Sequence, residues 1–164
     1  EPADPKLQTT IFNGFELRAA VAPYTGGGYM HTTDDRTPVT FITRYYLDKI
    51  KRLCDAHGTK LLFVTAPSPV NHTMQRHNEV QALADALAVP YLDLNLNTEE
   101  LGIDWNLDTL DGGDHLNYTG CQKATAYLQR YMQTHYTLPD RRDDVRYEAW
   151  NKQAEEFEKL LPQP

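Results

Sequence analysis

The sequence is poor in the residues that would announce a function directly. Among 164 residues it has one serine, Ser68, and two cysteines, Cys54 and Cys121. Ser68 stands between Pro67 and Pro69, not on the strand-to-helix turn that exposes a nucleophilic serine, so it is a poor nucleophile. The cysteines fall in helical patterns and match no zinc spacing, so they are expected as small apolar residues, with no metal and no cofactor implied. Basic residues are in deficit: the formal charge is −7 and the isoelectric point about 5.3. That balance excludes electrostatic binding of nucleic acid. No apolar run is long enough to span a bilayer. The opening Glu1-Pro2-Ala3-Asp4-Pro5 carries no leader pattern and reads as a cut end, so membrane attachment is expected only through an N-terminal anchor ahead of it.

What is present is an alternation of helical and strand patterns. Ile11, Phe12, Phe15 and Leu17 suggest a short strand within an irregular segment, 1–36, and Gly26-Gly27-Gly28 reads as a loop. From Thr37-Pro38, Phe41, Ile42, Tyr45, Tyr46, Ile50, Leu53 and Cys54 recur at helical spacing, predicting an amphipathic helix to residue 57 that Gly58 ends. The apolar run 60–66 predicts a strand buried on both faces of a parallel sheet. A helix over 75–87 and a second strand over 89–94 follow, the order of an α/β fold. An acidic connection, 95–117, leads to a helix over 118–135. A polar linker and a last helix, 147–161, fill 139–164, with Trp150 expected to pack that helix.

The most informative stretch is Asp111-Gly112-Gly113-Asp114-His115-Leu116-Asn117. Two glycines let the backbone reverse, and a carboxylate beside an imidazole is the part of a catalytic triad that orients and charges the base. Both Asp111 and Asp114 compete for that role. Asp111 is favoured, because a Gly-Gly turn can fold it back while adjacent side chains diverge. The loops after the two strands should share one edge of the sheet, bringing Pro67-Ser68-Pro69 near His115. Ser68, Asn71 and Asn117 are then candidates for lining a substrate loop. Asn117 or Thr119 is alternatively a helix cap. His57 and His135 fall near helix C-termini, and His72 and His77 are expected to be exposed. Asn71-His72-Thr73 also fits a glycosylation acceptor pattern.

Taken together, Leu61–Pro69, Val89–Leu94 and Asp111–Gly120 resemble the SGNH/GDSL-type serine hydrolases, most of all their extracytoplasmic branch related to cell-wall and exopolysaccharide acyl-transfer proteins. The resemblance covers about residues 37–150. It implies a three-layer αβα, flavodoxin-like fold, here incomplete, with residues 37–138 as its C-terminal portion. It implies His115 as the base and Asp111 or Asp114 as its partner. The family's Asp-x-x-His spacing is not reproduced, since Gly112 stands three residues before His115. The serine and oxyanion blocks of the family are also not visible, so the chain is expected to be the inactive C-terminal part of an esterase or acyltransferase. Its substrate class would be a small-molecule or carbohydrate ester, its location extracytoplasmic, and an exposed sheet edge would favour a homodimer.

Two other readings compete. Asp104, Asp108, Asp111 and Asp114 could offer oxygens to Ca²⁺, although the spacing is not that of an EF-hand loop. A non-catalytic domain with a hydrolase-like fold could instead bind carbohydrate or a partner through Tyr45, Tyr46, Tyr118, Tyr127 and Trp105.

Overall fold

A computed structural model describes residues 15–161. The described elements are α1 (Phe41–Ala56), β1 (Phe63–Thr65), α2 (Met74–Leu87), β2 (Tyr91–Asp93), α3 (Thr98–Leu101), α4 (Tyr118–His135) and α5 (Glu148–Glu158). Short 3-10 turns at Leu94–Asn97 and Val145–Tyr147 precede α3 and α5. The chain divides into two compact units, one spanning Ala19–Tyr127 and the other formed by the flanking segments up to Arg18 and from Leu128.

Within the first unit the mixed α/β character is built around β1, α2 and β2. The two strands are parallel, with Phe63 opposite Tyr91, Val64 opposite Leu92 and Thr65 opposite Asp93. Each strand is three residues long, shorter than the predicted runs 60–66 and 89–94. The expectation that the first strand is buried on both faces fails, because Val64 is 41% exposed. A two-stranded sheet has too few neighbours to cover both faces. The core lies where α2 meets β2: Leu83, Ala84, Val89, Leu92, Leu94 and Leu101 are buried together. Its apolar positions alternate with helical and strand periods in turn, which is why those residues fold onto one another.

The helix ends follow local chemistry. Thr40 caps α1 by accepting the Thr43 N–H at 3.1 Å, and Thr73 caps α2 through the Arg76 N–H at 3.4 Å. Gly58 takes φ +63° just past α1, where a left-handed residue closes the helix. The segment before α1 docks on α2: Thr37 N–H donates to the Gln75 carbonyl at 3.1 Å, and Val39 N–H to Glu79 Oε1 at 3.3 Å. Arg44 then pairs with the same buried Glu79 carboxylate.

Beyond those anchors no residue of α1 is fully buried. Phe41 is 80%, Ile42 66% and Leu53 61% exposed, so the apolar stripe of this amphipathic helix is unpartnered within the described residues. Cys54 and Cys121 are free and half-buried. Ile11 and Phe12 of the suggested N-terminal strand lie outside the described residues, while Phe15 and Leu17 form no strand. In the second unit Phe15 meets Phe157 edge-to-face at 5.4 Å between ring centres. Trp150, expected to pack α5, is instead 61% exposed, because no described segment covers that face of the helix. No described helix is long and apolar enough to cross a membrane.

Candidate active site

The turn before α4 is rigidly framed. Thr109 and Leu116 form an antiparallel bridge, and Leu110 N–H donates to the His115 carbonyl at 2.9 Å. Between them Gly112 and Gly113 adopt φ +77° and +101°, conformations that residues with a Cβ adopt at a cost. Gly113 N–H is held by the buried Thr109 hydroxyl at 2.6 Å. Gly113 must also be small, since a Cβ there would lie 2.8 Å from the Tyr24 ring and 2.9 Å from the Pro69 ring.

This reversal returns Asp111 onto His115. Asp111 Oδ1 accepts the His115 backbone N–H at 2.8 Å, and Oδ2 faces the ring Nδ1 at 2.7 Å. Asp114 Oδ2 stands 3.6 Å from the same nitrogen, and its Oδ1 accepts from the Asn71 amide. Asp111 is therefore the bonded partner and Asp114 a nearby second charge. A carboxylate only accepts, so Nδ1 carries the proton and Nε2 is left with its lone pair outward. The hydrogen bond to Asp111, with the charge of Asp114, raises the His115 pKa above the ordinary histidine value. Desolvation would raise the Asp111 carboxyl, but the His115 backbone and ring outweigh it and hold the acid below the usual range. The pair is open to solvent, with the His115 side chain 67% exposed.

Ser68 and Asn71 come to the same place. Ser68 Oγ donates to the Gly113 carbonyl at 3.3 Å, and Val70 N–H approaches that carbonyl at 3.4 Å. The loop after β1 and the turn before α4 therefore share the carboxyl edge of the two strands. Asn117 does not join them. It is buried, its Oδ1 accepts Gly120 N–H at 3.2 Å, and its Nδ2 donates to the Leu107 carbonyl at 2.7 Å. It is a helix cap and loop brace, so its candidacy for a substrate loop is corrected: a buried side chain satisfied on every side has no face for a ligand.

The four aspartates of the calcium reading do not converge. Asp104 Oδ1 binds Asn106 N–H at 2.9 Å, and Asp108 is buried against Lys123 and the Thr119 hydroxyl. The aromatic candidates also separate. Tyr45 and Tyr46 lie on the exposed face of α1, and Tyr127 donates to Glu100 at 3.3 Å. Trp105 instead meets Tyr24 and Tyr29 edge-to-face at 6.1 and 6.0 Å. With Gly26–Gly28 and Asn95 these rings line an open cavity of about 450 Å³. Tyr24 connects the cavity to the His115 turn, since its ring packs on Gly113. Sequence reading passed over Tyr24 and Tyr29 as part of a glycine loop; the aromatics flanking Gly26-Gly27-Gly28 were the available signal.

His72 and His77 are not exposed as expected. His72 is 6% exposed and His77 half-buried, because both turn inward onto the buried Asp93. Comparison with protein-family models, curated proteins and solved structures found no match to this chain.

Proposed function

We propose that this chain is the C-terminal part of an SGNH/GDSL-like esterase or acyltransferase with a flavodoxin-like three-layer architecture. It would act on ester-linked acyl groups of cell-envelope carbohydrate in an extracytoplasmic setting. The observation that carries the reading is the 2.7 Å contact between Asp111 Oδ2 and His115 Nδ1, placed at the carboxyl edge of parallel strands. In this reading Asp111 fixes the tautomer, and His115 Nε2 takes the proton of a serine hydroxyl and later returns it to the leaving alcohol. Asp114 adds negative charge that favours the imidazolium form. The serine and the oxyanion donors come from sequence outside this chain, because the Ser68 hydroxyl is spent on the Gly113 carbonyl.

The test has two arms. The 164-residue chain is expected to hydrolyse p-nitrophenyl acetate no faster than buffer. The longer gene product should label with a fluorophosphonate probe and lose labelling in His115→Ala. Robust turnover by the chain alone that survives Ser68→Ala would sink the divided-enzyme reading.

The cavity walled by Tyr24, Tyr29 and Trp105 favours a second reading, a non-catalytic carbohydrate-binding domain. Absence of probe labelling in the longer product, with saturable oligosaccharide binding lost in Trp105→Ala, would select it.

A further inference from the structure

His72, His77 and Asp93 lie behind the Pro67-Ser68-Pro69 turn, outside the Asp111–His115 pair, and no step of the proposed chemistry uses them. Asp93 Oδ2 receives His72 Nε2 at 2.8 Å, His77 Nδ1 at 2.7 Å and the Tyr91 hydroxyl at 3.1 Å. Asp93 Oδ1 receives the Asn95 N–H at 2.9 Å and the Asn95 amide at 2.8 Å. Five donors thus crowd a carboxylate that offers about four lone-pair sites. Asp93 is 5% exposed, so these hydrogen bonds, not water, must hold its carboxylate.

We propose that His72, His77 and Asp93 form a divalent-metal site suited to Zn²⁺. Two imidazoles and one carboxylate are the donor set that zinc takes when three protein ligands leave its fourth position to water. One ring nitrogen of each histidine and one Asp93 oxygen already lie within 4.8 Å of one another. Ligands about 2.1 Å from a tetrahedral ion sit about 3.4 Å apart, so the two short contacts, 2.8 and 2.7 Å, open by about 0.6–0.7 Å on loading. On loading, the proton each neutral ring turns toward Oδ2 passes by way of solvent to that ring's other nitrogen, so His72 Nε2 and His77 Nδ1 present lone pairs to the ion and both imidazoles stay neutral.

The support around the cluster is that of a held ligand set. Asn95 clamps the Asp93 oxygen turned away from the histidines and also donates to the Ala66 carbonyl at 3.0 Å. The His77 ring is stacked on Tyr91 with centres 5.4 Å apart. His72 N–H donates to the Ser68 carbonyl at 2.8 Å, and Ser68 N–H to Asn95 Oδ1 at 2.9 Å. Loading the site therefore stiffens the turn that carries Ser68. His77, only half-buried, is the side from which an ion enters. The proposal is independent of whether His115 acts as a base.

The experiment titrates chelator-treated 164-residue chain with CoCl2, then displaces the cobalt with ZnCl2. One Co²⁺ per chain, with visible ligand-field bands that Zn²⁺ erases and a raised melting temperature, is the expected result. His77→Gln should weaken binding by more than the roughly 10–100-fold typical of losing an outer-shell partner, while His115→Ala leaves it unchanged. Nitrogen-15 spectra of the unmutated chain give a second readout that needs no variant: Zn²⁺ should move His72 Nε2 and His77 Nδ1 together. Absent bands, binding unaltered in folded His77→Gln, or binding lost only in His115→Ala would overturn the site; the last outcome would place the ion on Asp111, Asp114 and His115 instead.

Discussion

Asp111 holds His115 twice, by the backbone N–H at 2.8 Å and by the ring Nδ1 at 2.7 Å, one carboxylate oxygen for each. Bidentate contact fixes both the position of the residue and the rotation of its ring. A general base needs that orientation before it needs any particular pKa.

The His115 pKa should therefore lie above 6.5 in the folded chain and fall towards that value in Asp111→Asn, with a smaller fall in Asp114→Asn. Proton NMR titration of the imidazole reads both. A raised folded pKa contributes stability that is fully present below the unfolded value and is lost as pH rises through the folded one. Because the side chain is 67% exposed, solvent screening keeps that stability term small. A larger fall in Asp114→Asn than in Asp111→Asn would transfer the partner role to Asp114.

Asp108 is the polar keystone of the loop before α4. Its buried carboxylate accepts the Asp104 N–H at 2.7 Å and the Thr119 hydroxyl at 2.9 Å, and it pairs with Lys123. Desolvation would raise its pKa, but Lys123, the Asp104 N–H and Thr119 outweigh that and lower it. Asp108→Ala leaves those donors without their acceptor and should cost about 2–3 kcal/mol in urea unfolding. The depressed pKa makes this stabilisation present above the unfolded carboxylate value, near 3.9, and lost as pH falls through the folded value. Removal of Asp108 should accordingly flatten the acid limb of the stability profile.

Two substitutions involving glycine should move stability in opposite directions. Ala88 closes α2 in the left-handed region, at φ 51° and ψ 47°, where a Cβ is strained. Ala88→Gly should stabilise the chain by about 1 kcal/mol. Gly120 faces the Asp108 carbonyl, and an added Cβ would also lie 3.1 Å from both Asp108 Cβ and Leu116 Cβ. Gly120→Ala should destabilise by about 1–3 kcal/mol, since backbone must shift to admit it. Paired thermal melts compare the two directly.

The exposed stripe of α1 makes a negative prediction. Ile42→Gln and Leu53→Gln should each change the stability of the chain by no more than about 0.5 kcal/mol, because neither side chain is buried. A loss of several kcal/mol on denaturant unfolding would mean that this face is packed in solution.

Much of the local structure was legible in the residues. Tyr118–His135 forms the helix that three- and four-residue spacing predicts, and the helices at Phe41–Ala56 and Met74–Leu87 start beside threonine caps. The Asp111–His115 contact was also within reach, because four residues and two glycines confine both side chains to one turn. Asp111 was also preferred to Asp114 on the residues alone, because the Gly-Gly turn can fold it back; what the fold adds is the Thr109 hydroxyl that holds the turn closed.

Periodicity named the residues that share a face of α1, but whether anything covers that face depends on the rest of the fold, and in the described residues nothing does. The meeting of His72, His77 and Asp93 was equally invisible. The histidines flank the start of α2, whereas Asp93 ends β2 and reaches them only because the parallel register sets Thr65 beside it and α2 packs back on the sheet. Short-range spacing settled the helices and the acid–imidazole turn, since both are closed within a few bonds. Contacts between distant segments were settled by strand register and helix packing, which minimise the free energy of the whole chain and leave no mark on any single stretch of it.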